Sequence, residues 1–377
     1  MKTRRKIILL TVLVFMCSFN RAQPLPSKTE VLGQMKLTNA YFMSKWPDPG
    51  KKIVNDKTRA SNIWTRAVYY EGLMALYHIK PEKEYYDYAV NWGISHNWGL
   101  VDGIKTRNAD NICCGQTYID LYLIDKKEER ISDLKASVDL TMGTSKIDDW
   151  SWIDALQMAM PVYAKLGVLY KDNRYFERMY QMYMYSKTKE GGKGLFNPED
   201  NLWWRDKNFV APYKEPNGED CYWSRGNGWV IATLVRVLET MPKDAPHRAE
   251  YQNTLKLMVE ALIPIQREDG FWNVSLQDPK NFGGKELSGT ALFTYGIAWA
   301  INNNVLSKEK YLPVVKKAWN AMSKESVQAN GFLGYVQGTG KQPSDGQPVT
   351  SSRIPDFEDY GLGCFLLAGS EVYKLCD

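Results

Sequence analysis

The sequence predicts an all-α protein, an (α/α)6 toroid built from six helical hairpins. Two observations support this fold class: apolar residues recur at helical spacing in segment after segment, and strand-like stretches are few and short. Twelve helix-length segments follow one another with no composition break that would mark a second domain. Six hairpins closed into a ring account for that number, and an open helical solenoid is the structural alternative.

The predicted helices have clear apolar stripes. In the segment 226–240, for example, the apolar residues recur at intervals of three and four: Trp229, Ala232, Leu234, Val235 and Leu238. We place helices near residues 27–47, 58–79, 82–98, 109–125, 127–142, 154–170, 172–187, 226–240, 247–267, 287–303, 307–325 and 355–375. The strand-like stretches are 202–204, 271–274 and 332–336.

The N-terminus has the pattern of a secretory signal. A basic start with Lys2, Arg4, Arg5 and Lys6 precedes an apolar run over residues 7–17, and the small residue Ala22 follows. Eleven residues are too few to span a bilayer, which needs about 20. We therefore expect a signal peptide over residues 1–22, one catalytic domain over residues 23–377, no membrane span, and export to the periplasm or the medium.

The net charge and the cysteine content limit which ligands and partners the sequence predicts. The 48 basic and 43 acidic residues give a net charge of +5, without the dense basic stripe that duplex nucleic acid requires. No Cys-x-x-Cys pair is present and the three histidines are scattered, so we expect no metal site and no cofactor. A disulfide among the cysteines that follow the signal is open, because spacing cannot assign one.

Aromatic residues are abundant: 13 Trp, 23 Tyr and 12 Phe make up 13% of the chain. Such a content is typical of a cleft that stacks sugar rings, and it also occurs in large helical cores. Composition alone leaves both interpretations open.

A carboxylate at Asp154 is the first candidate catalytic group. Gln157 follows three positions later, so an N-cap in a capping box is the structural alternative. Trp150 and Trp152 lie just before the carboxylate. An apolar wall of this kind would raise the pKa of the carboxyl group and keep it protonated as an acid.

The segment 221–229 is the second candidate. Arg225 lies between Trp223 and Trp229 and is followed by two glycines, as in a loop that enters a helix. A guanidinium can hold a carboxylate with a bidentate fork. A tight turn with the arginine packed on tryptophan is the alternative.

Two further segments carry polar groups. Asp110 supplies a second carboxylate at a predicted helix start, where a capping role is the alternative. Small residues lie at the start of a predicted helix within 285–291, near Trp272. By themselves they do not indicate a functional role.

Four motifs together resemble one enzyme family. Residues 152–159 (Trp-Ile-Asp-Ala-Leu-Gln-Met-Ala) and 223–229 (Trp-Ser-Arg-Gly-Asn-Gly-Trp) resemble two signatures of glycoside hydrolase family 105, the unsaturated rhamnogalacturonyl and related uronyl hydrolases akin to family 88. Residues 286–291 and 361–372 resemble later helices of that family, in the same order.

The resemblance implies a hydrolase that acts on oligosaccharides ending in a 4,5-unsaturated uronic acid. It implies that Asp154 is the general acid/base and Asp110 the second carboxylate. It also implies that the substrate-binding residues are Trp152, Trp223, Arg225 and Trp229. In the loop 201–206 this chain lacks the histidine that family members often carry, and we expect Arg205 to take its position and bind an anion. Unsaturated glucuronyl as well as galacturonyl ends are therefore expected substrates.

Such a reaction needs no cofactor, because hydration of the double bond begins with protonation by a carboxylic acid. Two alternatives remain open: a conventional glycosidase that uses Asp154 and Asp110 directly, and a non-catalytic carbohydrate-binding protein of the cell envelope. An epimerase on a similar toroid fits less well because histidines are few.

Overall fold

The computed structural model describes residues 24–376, and the predicted helical architecture is confirmed there. The expected signal peptide lies outside the described residues. The α-helices are α1 Lys28–Lys45, α2 Trp64–Ile79, α3 Lys83–Ser95, α4 Ala109–Ile112, α5 Gly115–Ile124, α6 Ser132–Met142, α7 Asp154–Tyr170, α8 Asn173–Thr188, α9 Ser224–Thr240, α10 Arg248–Leu262, α11 Leu287–Asn302, α12 Lys308–Ala321 and α13 Asp359–Leu375. Two short antiparallel hairpins pair β1 Ile53–Val54 with β2 Thr58–Arg59, and β3 Phe196–Asn197 with β4 Leu202–Trp203.

The helices form two concentric layers. The inner helices α2, α5, α7, α9, α11 and α13 pack on one another in sequence, and α13 packs back on α2, which closes the ring. The outer helices α1, α3, α6, α8, α10 and α12 alternate with them along the chain. The closure excludes the open solenoid and establishes an α/α toroid.

Small residues let the inner helices approach closely. At Gly228 of α9, a Cβ atom would lie only 3.0 Å from the Leu292 side chain of α11. At Gly289 of α11, a Cβ would lie 2.1 Å from the hydroxyl of Ser224. Both α9 and α11 are buried along almost their whole length, whereas the outer helix α1 buries only a few residues of one face.

The structure corrects several predicted boundaries. The helix expected from residue 58 begins at Trp64, because residues 53–59 form the β1–β2 hairpin instead. The helix expected over 109–125 is divided into α4 and α5 at Cys113 and Cys114. The last helix begins at Asp359 rather than 355. The predicted strand at 202–204 is confirmed as β4, whereas Trp272 and Leu333 take part only in isolated bridges.

The inner helices begin at one mouth of the toroid. Asp359 at the start of α13 pairs with Arg66 in the first turn of α2, and Ser224 at the start of α9 lies against Gly289 in the first turn of α11. The partial positive charge at a helix N-terminus favours anions. This mouth is therefore electrostatically suited to an acidic ligand. Within residues 24–376, none of the helices has the length and apolar character needed to cross a bilayer.

Candidate active site

Asp154 and Arg205 meet at this mouth. Asp154 is the first residue of α7 and is only 7% exposed. The Arg205 Nε–H donates a hydrogen bond to Asp154 Oδ2 at 3.2 Å, and its Nη1 donates to Asp206 Oδ2 at 2.8 Å. The main chain fixes this geometry, since the amide of Ile153 donates to the Arg205 carbonyl at 2.9 Å. Among the described residues Arg205 Nη2 has no hydrogen-bond partner, so it is available to a ligand.

The capping alternative for Asp154 is wrong. The N-cap of α7 is Ile153, and no side-chain hydrogen bond caps this helix. Gln157 does not face back to the cap; its amide donates to Glu71 Oε2 of α2 at 2.8 Å, inside the ring. The carboxylate of Asp154 is therefore free for a role other than starting its helix.

Asp110 is not a cap either. Asn108 caps α4, because its side-chain oxygen accepts a hydrogen bond from the Asp110 amide at 2.9 Å. Burial raises the pKa of the Asp110 carboxyl group to about 7; the nearby negative charge of Asp154 adds to this shift and the Arg205 guanidinium opposes it. The two predicted catalytic carboxyl groups thus interact electrostatically, and Asp110 is partly protonated near neutral pH.

Asp110 also faces an open cavity of about 360 Å³. Trp64, Thr65 and Asn111 line it on the toroid side, and Lys57 and Arg59 of the β1–β2 hairpin line it on the outer side. A carboxyl group with a raised pKa beside a cavity of sugar size is the arrangement that acid–base chemistry on a carbohydrate requires.

Trp152 lies next to the segment that carries Arg205 and Asp206, two residues before Asp154. Its backbone forms an antiparallel bridge with Asp206, and its side chain is partly buried against the core. It is the one predicted substrate-binding tryptophan with an exposed part.

The other three predicted substrate-binding residues lie behind the surface. Arg225 is 0% exposed, and its two terminal nitrogens donate to the carbonyl oxygens of Gln337 and Gly338 at 2.9 and 2.8 Å. Trp223 and Trp229 are also buried. The prediction that these side chains contact the sugar directly does not fit their burial.

Arg225 is held in place by aromatic rings. Its guanidinium lies 4.5 Å from the centre of the Trp223 ring and 4.9 Å from that of Tyr360. The arginine is thus packed on tryptophan as in the alternative, but it lies in the first turn of α9 and not in a tight turn. Because Arg225 is held in this way, its hydrogen bonds fix the loop that begins at Gln337 over the mouth of the toroid.

Sequence analysis missed Gln337 and Glu286 as organisers of the site. The Gln337 side chain accepts a hydrogen bond from Trp223 Nε1 at 2.9 Å and donates to the Asp345 carbonyl at 2.6 Å. Glu286 caps α11 by accepting from the amides of Ser288 and Gly289. An acidic residue two positions before a serine at a helix start was the available signal for Glu286; no local pattern marks Gln337.

The cysteines take no part in the site. Cys113, Cys114, Cys221 and Cys364 are buried free thiols, so no disulfide joins them. Burial raises the pKa of the Cys114 thiol to about 12, which keeps it protonated and unreactive.

Comparison with known proteins identifies the family. A family model described as Glycosyl Hydrolase Family 88 matches residues 34–376, nearly the whole of the described chain. The chain belongs to glycosyl hydrolase family 88. The expected likeness to families 105 and 88 is confirmed, and this family 88 protein is a glycoside hydrolase.

Individual relatives and solved structures are similar to this chain over most of its length. The family 88 chain is 32% identical over 333 residues to an unsaturated 3S-rhamnoglycuronyl hydrolase of Formosa agariphila, covering 83% of this chain and 84% of the relative. It is similar to a family 88 structure from Bacteroides vulgatus, with a TM-score of 0.83 and 32% identity over 92% of this chain and 99% of that one. A structure described as a polysaccharide lyase is also similar, with a TM-score of 0.83 and 31% identity over 92% of this chain and 98% of that one.

Proposed function

We propose that this family 88 hydrolase removes a terminal 4,5-unsaturated uronic acid from oligosaccharides produced by polysaccharide lyases. The observation that carries the proposal is the coupled pair Asp110 and Asp154, with Arg205 beside it, at the mouth where the inner helices begin. The name of the Formosa agariphila relative supports an unsaturated uronyl substrate.

The pair supplies the proton that the reaction needs. Because the pKa of Asp110 is about 7, the two carboxyl groups together retain a proton in part of the molecules at neutral pH. We assign to Asp154 the transfer of this proton to C4 of the C4–C5 double bond of the substrate. The ring oxygen then stabilises the positive charge that develops at C5.

Water completes the reaction. Asp154, now a carboxylate, takes a proton from a water molecule as the water adds to C5. The hemiketal at C5 opens to a ketone and leaves a hemiacetal at C1, which releases the next sugar as an alcohol. The bond to that sugar breaks without attack of a nucleophile at C1.

Arg205 is the residue that we assign to the substrate carboxylate. Its Nη2 is free of partners in the described chain, whereas the nitrogens of Arg225 that could form a fork are both bonded to carbonyl oxygens. A uronate bound to Arg205 would place its ring next to Asp154, since one guanidinium contacts both. Trp152 then offers the exposed aromatic surface for the sugar.

The ultraviolet absorbance of the conjugated double bond distinguishes the candidate functions. Purified protein is incubated with unsaturated disaccharides that bear glucuronyl or galacturonyl ends, with their saturated counterparts, and with the parent polysaccharides. We expect the absorbance to decay on an unsaturated disaccharide only. A rise on intact polysaccharide would indicate a lyase, as the name of one similar structure suggests, and sugar release from saturated disaccharides would indicate a conventional glycosidase. Binding without any change would indicate a carbohydrate-binding protein.

We also propose that the protein is exported. The basic start, the short apolar run over residues 7–17 and Ala22 support this. Expression of the full chain with fractionation, followed by N-terminal sequencing, tests it. We expect mature protein that begins at Gln23 outside the cytoplasm; uncleaved protein retained in the cytoplasm would contradict the proposal.

A further inference from the structure

Glu71 is a buried acidic residue in the middle of α2, inside the ring, and it is only 1% exposed. Two side chains donate hydrogen bonds to it. The Gln157 amide donates to its Oε2 at 2.8 Å, and the Cys113 thiol donates to its Oε1 at 3.5 Å. One carboxyl group of α2 thus contacts α7 and, at the same time, the junction between α4 and α5.

Each of these two partners lies about one helical turn from a carboxyl group of the candidate active site. Cys113 follows Asp110 by three residues, and Gln157 follows Asp154 by three residues. Residues three apart in a helix are neighbours on one face. Glu71 therefore holds, from inside the ring, the two turns that carry Asp110 and Asp154.

The Gln157 side chain makes this contact at a cost. Its Nε2 donates to Glu71, whereas its Oε1 is buried and has no hydrogen-bond partner among the described residues. A buried polar atom without a partner loses free energy on folding, and a leucine of similar size would avoid the loss. The hydrogen bond to Glu71 is what a glutamine offers at this position and a leucine does not.

Glu71 is surrounded by charges from three other inner helices. Arg236 Nε of α9 lies 3.5 Å from Glu71 Oε2, and Lys165 of α7 pairs with Asp120 of α5. Burial raises the pKa of Glu71; Arg236 and Lys165 oppose this rise and Asp120 adds to it. Replacing a buried ion pair with apolar side chains is often neutral or stabilising, so stability alone is a weak reason for an acidic group here.

We propose that Glu71 is a positioning residue that sets the separation between Asp110 and Asp154. This rests on the proposed function, in which these two groups share the proton that is transferred. Loss of either contact would free one of the two turns, and like charges relax by moving apart. Burial and, after it, the negative charge of Asp154 raise the pKa of Asp110. A greater separation would lower that pKa and leave the pair with less of its proton at neutral pH.

The test removes one contact at a time and keeps the charge of Glu71. In Gln157→Leu we expect kcat to fall about tenfold or more with little change in KM, because a small misplacement of the acid slows the reaction while Arg205 still holds the uronate. In Gln157→Leu and in Cys113→Ala, the alkaline limb of the kcat/KM profile should lie at lower pH than in the wild type. Cys113→Ser keeps a donor and should retain the wild-type limb.

A double-mutant cycle tests whether Gln157 acts through Glu71. In Glu71→Gln only one acceptor oxygen remains for the two donors, so at least one contact is lost. The loss of kcat in the double variant Glu71→Gln/Gln157→Leu should then be smaller than the product of the two single losses. Losses that multiply would show that the two side chains act independently, and would overturn the proposal.

Glu371→Gln is the matched control. Glu371 of α13 is also buried and accepts a hydrogen bond from the side-chain amide of Asn302 of α11 at 2.7 Å, near the C-terminal ends of both helices. Its loss should destabilise the protein to unfolding by denaturant and leave the alkaline limb in place. A wild-type kcat and limb in Gln157→Leu and Cys113→Ala would overturn the proposal. An equal displacement of the limb in Glu371→Gln would overturn it as well, because the effect would then follow from destabilisation alone.

A titration that needs no turnover separates this proposal from the proposed function. Carbon-13 NMR of protein labelled at the aspartate carboxyl carbons follows the protonation of Asp110, whose signal is identified by its loss in Asp110→Asn. We expect Asp110 to titrate at lower pH in Gln157→Leu than in the wild type, and at an unchanged pH in Glu371→Gln. An unchanged titration in Gln157→Leu would contradict the role of Glu71. Absence of absorbance decay in the wild type would contradict the proposed function, whatever the titration shows.

Discussion

The guanidinium of Arg205 bridges Asp154 and Asp206, with donor–acceptor distances of 3.2 and 2.8 Å. One cation thus orients the predicted general acid/base and leaves a further N–H group facing the cleft. Because Asp110 responds to the charges of both Asp154 and Arg205, the three groups form one electrostatic unit. Five predictions follow from that unit and from the loop above it.

Asp154→Asn should lower kcat about 10²- to 10⁴-fold, because the amide can neither donate the proton nor activate water. The decay of absorbance on the unsaturated disaccharide measures this, and circular dichroism checks the fold. Asp133→Asn is the control, since Asp133 is an exposed carboxylate in the first turn of α6. Retained activity in Asp154→Asn would remove Asp154 from the mechanism.

The raised pKa of Asp110 predicts that kcat/KM falls as pH increases through about 7, because the pair then loses its remaining proton. A profile recorded from pH 4 to 9 at constant ionic strength checks this limb. Asp110→Asn should be strongly impaired at every pH. A profile that stays flat up to pH 9 would show that the proton comes from another group.

Asp110 also makes stability depend on pH. Its pKa in the folded protein lies above the value of about 3.9 expected in the unfolded chain, so its favourable contribution is complete below pH 4 and is lost as pH rises to about 7. The free energy of unfolding of Asp110→Asn minus that of the wild type should therefore be larger at pH 8 than at pH 4, by about 1 kcal/mol or more. Denaturant titrations at both pH values measure the gain. Asp133→Asn should show no such pH-dependent gain.

Arg205→Lys keeps the positive charge, but an ammonium group lacks the planar shape with which the guanidinium contacts two carboxylates at once. We expect a decrease in kcat/KM of about tenfold, with a rise in KM, and a larger decrease in Arg205→Gln. Steady-state kinetics on glucuronyl- and galacturonyl-ended disaccharides measure both variants. An unchanged KM in Arg205→Gln would show that another group holds the substrate carboxylate.

Arg225 should act through the loop and not through direct contact with the sugar. Arg225→Met removes two hydrogen bonds to the carbonyls of Gln337 and Gly338, which should lower the unfolding free energy by about 3 kcal/mol and raise KM. Arg248→Met is the matched control, because Arg248 also donates to two main-chain carbonyls, those of Leu238 and Met241, far along the chain from the site motifs. It should destabilise the protein without changing KM. Loss of activity in Arg225→Met at unchanged stability would instead indicate a direct role.

Much of the helical framework follows from the sequence, because burial imposes a periodicity that is visible locally. The bounds of α7 agree with the expected 154–170, and those of α8 and α11 agree to within one residue. The errors lie where tertiary contacts override local preference. The β1–β2 hairpin replaces the first turn expected for α2, and Gly115 at the start of α5 lies so close to Leu134 that a Cβ atom would come within 2.4 Å of it.

For the site, the sequence by itself determined which residue types are present: two carboxylates at helix starts, an arginine in the loop 201–206, and an arginine between two tryptophans. Only the tertiary structure decided their roles, because roles depend on which groups meet. Closure of the ring brings Arg205 onto Asp154, exposes Asp110 to a cavity and buries Arg225 under the loop that it holds. The hairpin cations Lys57 and Arg59 are distant from Asp110 in the sequence, and no local pattern could place them in its cavity.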